Sequence, residues 1–356
     1  MRIATIQFDS QIGAIAANFS RAESLLMREE CEGILADIDL LVLPELAFTG
    51  YNHPSLSAIA PYLEPTADGP STRWAIRTAK RLKCTVAVGY PEASREGPEG
   101  DVDGDAGNYN TAYDAKITGD HVADLKAYNS LVFVSASGDV VAHHRKAHLF
   151  YTDETWACEG GKGFYTGVLP LGAGDRLAKV VAGICMDVNP YRFEAPFNAY
   201  EFATVAKEAR AQVVVLSCAW NTYTSREDIL DRPDRPDMDT INYWINRLFP
   251  LLDPQGPSEE VVVIFANRRG FEGVNPQGQQ VTYAGSSTVM GIKRADDAGT
   301  TSVKLWDILG SGQDGVLVVD TGRPPRYTAR FTVGSTAAPS MSDSEESTPA
   351  SRQTPM

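Results

Sequence analysis

Two uncharged runs rich in branched apolar residues constrain the fold of this chain more than any other feature. They are VVVLS at 213–217 and VVVIFA at 261–266. A strand with one face in water alternates apolar and polar side chains, whereas continuous apolar runs are typical of strands buried on both faces. Such strands need other layers packed over both sides of their sheet, so the runs predict a layered α/β fold.

Helical and strand-like segments alternate along the chain, as this fold requires. The patterns predict strands at 3–8, 40–43, 85–89, 177–184, 213–217, 261–266, 286–290 and 315–319, a hairpin within 129–145, and helices at 18–28, 71–82, 196–209 and 238–249. The polar stretch at 93–127 is typical of a surface excursion. With no linker in between, residues 1–333 are predicted to form a single domain, and the Ser- and Pro-rich tail at 334–356 is predicted to be disordered.

Composition excludes several classes of function. The chain has 356 residues and a formal net charge of −14, which disfavours nucleic acid and anionic membranes as partners. It contains no apolar stretch of the ~18 residues needed to span a membrane and no signal-peptide pattern, so we expect a cytoplasmic protein. Its five cysteines show no CxxC spacing and are expected to be free thiols. No metal-ligand motif occurs, and we expect neither a metal nor a cofactor.

Three predicted strands end at residues with reactive side chains. Cys185 follows the apolar run that ends at Ile184, Glu45 follows LLVLP, and Lys146 follows VVAHHR, with Glu154 eight residues further on. Strand exits meet at one edge of an open α/β sheet, where ligands bind. A thiol, a carboxylate and an ammonium group brought together there can serve as nucleophile, base and oxyanion donor.

These residue types suit the hydrolysis of an amide. Cys185 would attack, and its position at a turn before a helical segment would favour the thiolate. Glu45 would act as the base, and Lys146 would bind the oxyanion with the backbone N–H of Met186 or its neighbour. Glu154 would hold the lysine or the incoming water. Each residue taken singly also has a simpler explanation, such as a core thiol, a helix cap or a solvated surface charge.

The combination resembles the carbon–nitrogen hydrolase (nitrilase) superfamily. The matching segments are LLVLPELAFTGY, HRKAHLF and GICMDVNPYRFEAP, and the resemblance extends from the first strand to about residue 266. It implies a four-layer α-β-β-α sandwich, present as a monomer or as a homodimer paired through helices. It also implies that Glu45, Lys146 and Cys185 are the catalytic triad and that Glu154 is the second glutamate.

A narrower resemblance points to one group within that superfamily. LAFTGYNHPSL, IAPYLEPTADGPSTRWA and HLFYTDETWACEGG are similar to the fungal protein N-terminal amidases. This implies hydrolysis of the side-chain amide of an N-terminal Asn or Gln, with release of ammonia, as a step of the N-degron pathway. The flanks in HHRKAHLF depart from that group, which leaves substrate preference open.

Substrate binding would require a reader for the protonated α-amine. Asp187, two residues after the nucleophile, is a candidate, although it could equally cap the turn that follows. The aromatic residues Tyr51, Trp156 and Trp220 could line a small pocket or belong to the core. Asn221 is a candidate for contact with the peptide backbone.

Two other functions fit the same residues. A free ω-amidase or small aliphatic amidase would use the same triad, and Arg192, close to Cys185, could bind the carboxylate of an ω-amide substrate. A binding protein that has lost catalysis is the second alternative, which the intact Glu–Lys–Cys set disfavours.

Overall fold

The structure, a computed structural model, describes residues 1–94, 126–174, 176–253, 259–275, 278–294 and 300–332. Almost all of the predicted excursion at 93–127 and the whole predicted tail at 334–356 lie outside these residues, so the proposed domain limits stay a prediction.

Sixteen strands and seven α-helices make up the described part of the chain. The strands are β1 (Arg2–Gln7), β2 (Leu40–Val42), β3 (Glu64–Pro65), β4 (Thr85–Ser94), β5 (Lys126–Val134), β6 (Val140–Arg145), β7 (Tyr165–Pro170), β8 (Leu177–Ile184), β9 (Val213–Cys218), β10 (Val261–Asn267), β11 (Arg269–Val274), β12 (Gln280–Ala284), β13 (Thr288–Arg294), β14 (Thr300–Ile308), β15 (Gly315–Asp320) and β16 (Tyr327–Thr332). The helices are α1 (Ile15–Cys31), α2 (Leu56–Ile59), α3 (Pro70–Leu82), α4 (Glu201–Glu208), α5 (Arg226–Asp231), α6 (Met238–Arg247) and α7 (Phe249–Leu252).

The strands form two seven-stranded sheets and one separate hairpin. The first sheet has the order β15-β1-β2-β4-β5-β6, with β3 paired to β4, and the second has the order β16-β14-β13-β10-β9-β8-β7. The hairpin consists of β11 and β12. Strands β1, β2 and β4 are mutually parallel, as are β8, β9 and β10. Because β5 is antiparallel to both β4 and β6, β6 runs in the same direction as β2.

The alternation of side chains along β1 defines the layers. Ala4 and Ile6 belong to a buried cluster that also contains residues of α1 and α3. Ile3, on the opposite face, belongs to the cluster formed by β8, β9 and β10, which also includes Phe202 of α4 and Trp244 of α6. The order of layers is therefore helices, sheet, sheet, helices. The predicted four-layer sandwich is confirmed.

The run VVVIFA is buried within the second sheet, as its composition predicts. Its residues are at most 4% exposed, and the ring of Phe265 stacks on that of Trp244 with centroids 4.1 Å apart. Burying a side chain of this size contributes about 1.5–3 kcal/mol.

The limits of three helices differ from those predicted from the sequence. The segment predicted as one helix at 196–209 contains a short 3-10 helix and then Tyr200 in a left-handed conformation (φ 48°), so α4 begins only at Glu201. The segment 238–249 ends at Arg247, and α7 follows, with Pro250 in its first turn. Helix α1 starts before Asn18, whose side chain instead bonds to the backbone of Gln11 and Phe48.

Candidate active site

Three strand exits bring the predicted triad together. Glu45 lies three residues after β2, Lys146 directly follows β6, and Cys185 directly follows β8. The Lys146 Nζ lies 2.6 Å from Glu45 Oε1, and both side chains are fully buried. Charges on Glu45 and Lys146 both act on the Cys185 thiol, which is 8% exposed. The three side chains therefore share one buried centre between the two sheets.

Glu45 is held by donors on both of its oxygens. Its Oε1 accepts hydrogen bonds from Lys146 Nζ and from Asn129 Nδ2 at 2.7 Å, and its Oε2 accepts one from the backbone N–H of Ala219 at 2.8 Å. Burial raises the pKa of Glu45, and the neighbouring Lys146 ammonium opposes this rise. A carboxylate with a raised pKa is a better proton acceptor near neutral pH than an ordinary glutamate.

The second carboxylate of the site is Asp153 and not the predicted Glu154. Asp153 Oδ2 lies 2.5 Å from Lys146 Nζ and also accepts hydrogen bonds from the Tyr51 hydroxyl at 3.1 Å and the Phe150 N–H at 3.0 Å. Glu154 is exposed, and its N–H donates to the carbonyl of Phe150. In this tight turn, successive side chains point in different directions, so Asp153 faces inward and Glu154 faces solvent.

Lys146 is a cation fixed between two anions. Burial alone would lower the pKa of Lys146, but the carboxylates of Asp153 and Glu45 raise it above its ordinary value. The ammonium group therefore stays charged and can donate to an oxyanion.

Cys185 begins a sharp turn at the end of β8. Its φ is 43°, a left-handed conformation that is uncommon for residues other than glycine, and Leu46, next to Glu45, has a similar φ of 45°. Strained backbone of this kind concentrates at active sites. Met186, the next residue, is buried, and the first N–H groups of such a turn have no partner within it.

The surroundings of Cys185 oppose the thiolate that its turn position was expected to favour. Burial raises the pKa of the thiol well above its ordinary value, and Cys218 and Glu45 raise it further. Cys218 is the neighbour of Cys185 across the parallel strands, since Ile184 pairs with Ser217. The nucleophile therefore depends on a base to remove its proton.

Asp187 does not face the substrate side of the centre. It is fully buried, and its carboxylate accepts hydrogen bonds from the N–H groups of Ile184, Ala147 and His148 at 2.7–2.9 Å and contacts His144 Nε2 at 2.9 Å. Although burial opposes it, the contact with His144 lowers the pKa of Asp187. Asp187 thus ties the Cys185 turn to the segment after Lys146, and the prediction that it reads the α-amine is wrong.

The candidate pocket residues fall into two groups. Tyr51 and Trp156 are buried in one cluster with Ala219, beside the triad, and the Tyr51 ring lies 5.5 Å from Lys146 Nζ. Trp220 is half-buried and packs on the rings of Tyr243 and Trp244.

Two polar atoms of these candidates are buried without a hydrogen-bond partner among the described residues. They are the Trp156 indole Nε1 and the Asn221 amide oxygen. An unsatisfied buried donor or acceptor costs about 1–3 kcal/mol. A bound molecule that supplied the missing partners would remove that cost.

Several residues of the site were not predicted from the sequence. They are Asp153, Asn129 and Cys218. Asn129 was detectable in principle, because a polar amide at the start of the run NSLVFVS is unusual in a buried strand. No pattern distinguishes Asp153 from Glu154.

The described residues contain no group of three or more histidine, cysteine or acidic side chains placed to bind a metal ion. None of the helices in that same part of the chain is long and apolar enough to cross a membrane.

Comparison with known protein families shows to which family the chain belongs. The family model "Carbon-nitrogen hydrolase" matches residues 2–190, more than half of the chain, and includes Glu45, Lys146 and Cys185. The chain belongs to the carbon–nitrogen hydrolase family. It is therefore an amidohydrolase in fold and family, and the earlier resemblance is confirmed.

One group of proteins within this family is similar to the chain over most of its length. The chain is 26% identical over 332 residues to a protein N-terminal amidase of Schizosaccharomyces pombe, covering 89% of this chain and 98% of that protein. Crystal structures of N-terminal amidase with a Gln-Val peptide and with an Asn-Glu peptide each superpose with a TM-score of 0.70. Each is 20% identical and covers 89% of this chain and 96% of the other. At this identity, the structural likeness shows that this carbon–nitrogen hydrolase shares their fold.

Proposed function

We propose that the protein is a protein N-terminal amidase, which converts an N-terminal Asn or Gln to Asp or Glu and releases ammonia. The observation that carries the proposal is the Lys146 ammonium held between Glu45 and Asp153 beside the Cys185 thiol. The Schizosaccharomyces pombe relative, aligned over nearly its whole length, and the N-terminal amidase structures with Gln- and Asn-initiated peptides support the substrate class.

The first half of the reaction forms a thioester. Glu45 takes the proton of the Cys185 thiol as the sulfur attacks the side-chain amide carbon. The developing oxyanion is stabilised by the Lys146 ammonium and by the N–H of Met186 at the start of the turn. Glu45 then gives its proton to the leaving nitrogen, ammonia departs, and the acyl group remains on the Cys185 sulfur.

The second half hydrolyses the thioester. Glu45, again ionised, removes a proton from a water molecule that attacks the acyl carbon. The same donors stabilise the second oxyanion. Collapse expels the Cys185 sulfur, which recovers a proton from Glu45, and the product is an N-terminal Asp or Glu.

The peptide chain would be recognised by the two unsatisfied polar atoms beside the centre. The Asn221 oxygen is an acceptor suited to the α-amine or a peptide N–H, and the Trp156 indole N–H is a donor suited to a carbonyl. This arrangement replaces Asp187 as the reader of the substrate.

A free ω-amidase has less support. Its substrate carries a carboxylate that needs a cation in the pocket, and the candidate was Arg192. The Arg192 side chain is 52% exposed, and its guanidinium lies 3.5 Å from the Glu159 carboxylate. It is thus a solvated surface cation with a partner of its own.

The cellular role follows from the proposed chemistry. An enzyme that creates N-terminal Asp or Glu would supply the N-degron pathway, and we propose a cytoplasmic location for it. No cofactor takes part in the steps above.

The test is ammonia release from Asn- and Gln-initiated peptides, with N-acetylated peptides and free glutamine as controls. We expect turnover of the free-amine peptides only. Cys185→Ala should abolish turnover, because none of the other described thiols lies at the turn after β8, where the nucleophile must stand. Equal hydrolysis of acetylated and free peptides would favour a small-amide hydrolase. Turnover by the Cys185→Ala protein would refute the mechanism.

A further inference from the structure

A buried carboxylate from the β11–β12 hairpin lies under the loop that follows Glu45. Glu272 is 5% exposed, and its Oε2 accepts hydrogen bonds from the N–H groups of Asn52 at 2.9 Å and Tyr51 at 3.1 Å. The Tyr283 hydroxyl donates to the same oxygen, and Oε1 lies 2.5 Å from Arg268 Nη1. The carboxylate therefore joins the hairpin to the loop.

The fit between the loop and the hairpin leaves little room for movement. Gly50 has a φ of 78°, and a Cβ at this position would lie 2.7 Å from Glu272 Oε1. The Asn52 side-chain amide also donates to the backbone carbonyls of Glu272 and Val274, at 2.8 and 3.0 Å. The loop is thus bonded to β11 through the backbone N–H groups of Tyr51 and Asn52 and the side chain of Asn52, and it packs closely on Glu272 at Gly50.

Tyr51 carries this constraint to the catalytic centre. Its hydroxyl donates to Asp153 Oδ2, which lies 2.5 Å from Lys146 Nζ. Its ring is in edge contact with that of Tyr283, with centroids 6.4 Å apart. A continuous path of buried contacts therefore runs from Glu272 through Tyr51 and Asp153 to the oxyanion donor.

We propose that Glu272 is a positioning residue for amide hydrolysis, acting through Tyr51 and Asp153 to hold the Lys146 ammonium where the oxyanion forms. The inference rests on the proposed function of the centre. Glu272 lies outside residues 2–190, which the family model matches, so this part of the catalytic apparatus comes from the other half of the chain. An oxyanion donor is effective only when it is already in place, and a displacement of about 1 Å can cost about 10²-fold in rate.

The experiment is a double-mutant cycle on turnover of an Asn-initiated peptide. Glu272→Gln weakens the anchor, and Tyr51→Phe removes only the hydroxyl that contacts Asp153. We expect each change to lower kcat by about 10²-fold with KM nearly unchanged. The double variant should fall no further than either single variant, because both changes break the same path.

A matched control is Glu64→Gln, which makes the same substitution at another buried carboxylate. Glu64 accepts hydrogen bonds from the N–H and hydroxyl of Ser71 at the start of α3, and this contact leads to no residue of the triad. Its kcat should remain at the wild-type value.

Two outcomes would overturn the proposal. The first is a folded Glu272→Gln protein with wild-type kcat. The second is a double variant whose loss of kcat equals the product of the losses caused by Glu272→Gln and Tyr51→Phe singly. If Glu272→Gln does not fold, Tyr283→Phe takes its place in the cycle, since its hydroxyl reaches Tyr51 through Glu272. If Tyr283→Phe lowers kcat and the addition of Tyr51→Phe lowers it no further, the proposal is supported. If Tyr283→Phe leaves kcat at the wild-type value, the proposal is overturned.

Failure of the proposed function would be visible separately. A wild-type protein that hydrolyses a small aliphatic amide, and no Asn- or Gln-initiated peptide, would refute the N-terminal amidase assignment. The same cycle would then be run on that small amide, because the oxyanion donor serves any amide.

Discussion

Arg145 and Lys146 are consecutive residues at the end of β6, and each reaches a buried glutamate, but the two ion pairs have different surroundings. Among the described residues, the Glu92 carboxylate contacts the Arg145 guanidinium at 2.5 Å, His143 Nε2 at 3.0 Å, and the hydroxyls of Ser130 and Thr66. Burial opposes it, but His143 and Arg145 lower the pKa of Glu92.

Glu45, on the other side of the strand, shares its cation with a second carboxylate. Lys146 is divided between Glu45 and Asp153, and burial leaves the pKa of Glu45 raised. The two sites differ in that a buried glutamate whose cation is not shared with another acid, such as Glu92, has a lowered pKa. One that competes with another acid for a single cation can accept and return a proton, which is what catalysis requires.

The largest expected effect is on turnover at the Glu45 centre. Glu45→Gln should lower kcat by about 10²–10⁴-fold, the usual loss when a general acid–base is removed. Lys146→Ala should lower it by about 10²–10³-fold, as for loss of one oxyanion donor. Steady-state ammonia release measures both. A Glu45→Gln enzyme with near-wild-type kcat would mean that another group is the base.

The matched substitution at the other ion pair should affect stability instead. Glu92→Gln leaves the Arg145 guanidinium buried beside a neutral partner, and loss of one member of a buried pair typically costs about 3–5 kcal/mol. Denaturant unfolding measures this loss, and kcat per folded molecule should stay close to that of the wild type. A collapse of kcat with unchanged stability would erase the distinction between the two pairs.

Asp187→Asn should also act on stability, although Asp187 lies close to the nucleophile. The carboxylate accepts three backbone N–H groups, and an amide turned to accept some of them presents its own N–H₂ to others. The unfolding free energy should fall by about 1–3 kcal/mol. The KM for free-amine peptides should change little, and a selective rise in that KM would restore Asp187 as the amine reader.

The smallest expected effect is a displacement of the acid limb of the pH–rate profile. Glu45 must be ionised in the free enzyme, and its raised pKa places the rise of kcat/KM with pH above the ordinary glutamate value of 4.5. The pKa of Glu92 is lowered, so its stabilising contribution is present above that ordinary value and is lost only at still lower pH. Circular dichroism at each pH should therefore show folded protein along the acid limb, and unfolding that coincides with the limb would contradict this assignment.

Local patterns were sufficient for the main strands and for three residues of the centre. The limits of β8 match the apolar pattern at 177–184. The residues after β2, β6 and β8 meet as expected, but across two stacked sheets and not at one edge, because β2 and β6 belong to the first sheet and β8 to the second. The strands missed were mainly β7, β11, β12, β14 and β16, whose sequences mix apolar, polar and charged residues. Strands covered on one side, or paired at a sheet edge, lack the continuous apolar signal of β9 and β10.

The layered α/β class, the family and the three residue types that carry the chemistry are predictable from the sequence, because each depends on local runs and short motifs. Folding was needed to distinguish Asp153 from Glu154, to give Asp187 its place as a buried clamp, and to bring Glu272 under Tyr51 from a hairpin 221 residues further along the chain. The physical reason is that side-chain direction in a turn and the pKa of a buried acid depend on the neighbours that folding supplies. Those neighbours come from distant parts of the chain, and no local pattern records which of them will meet.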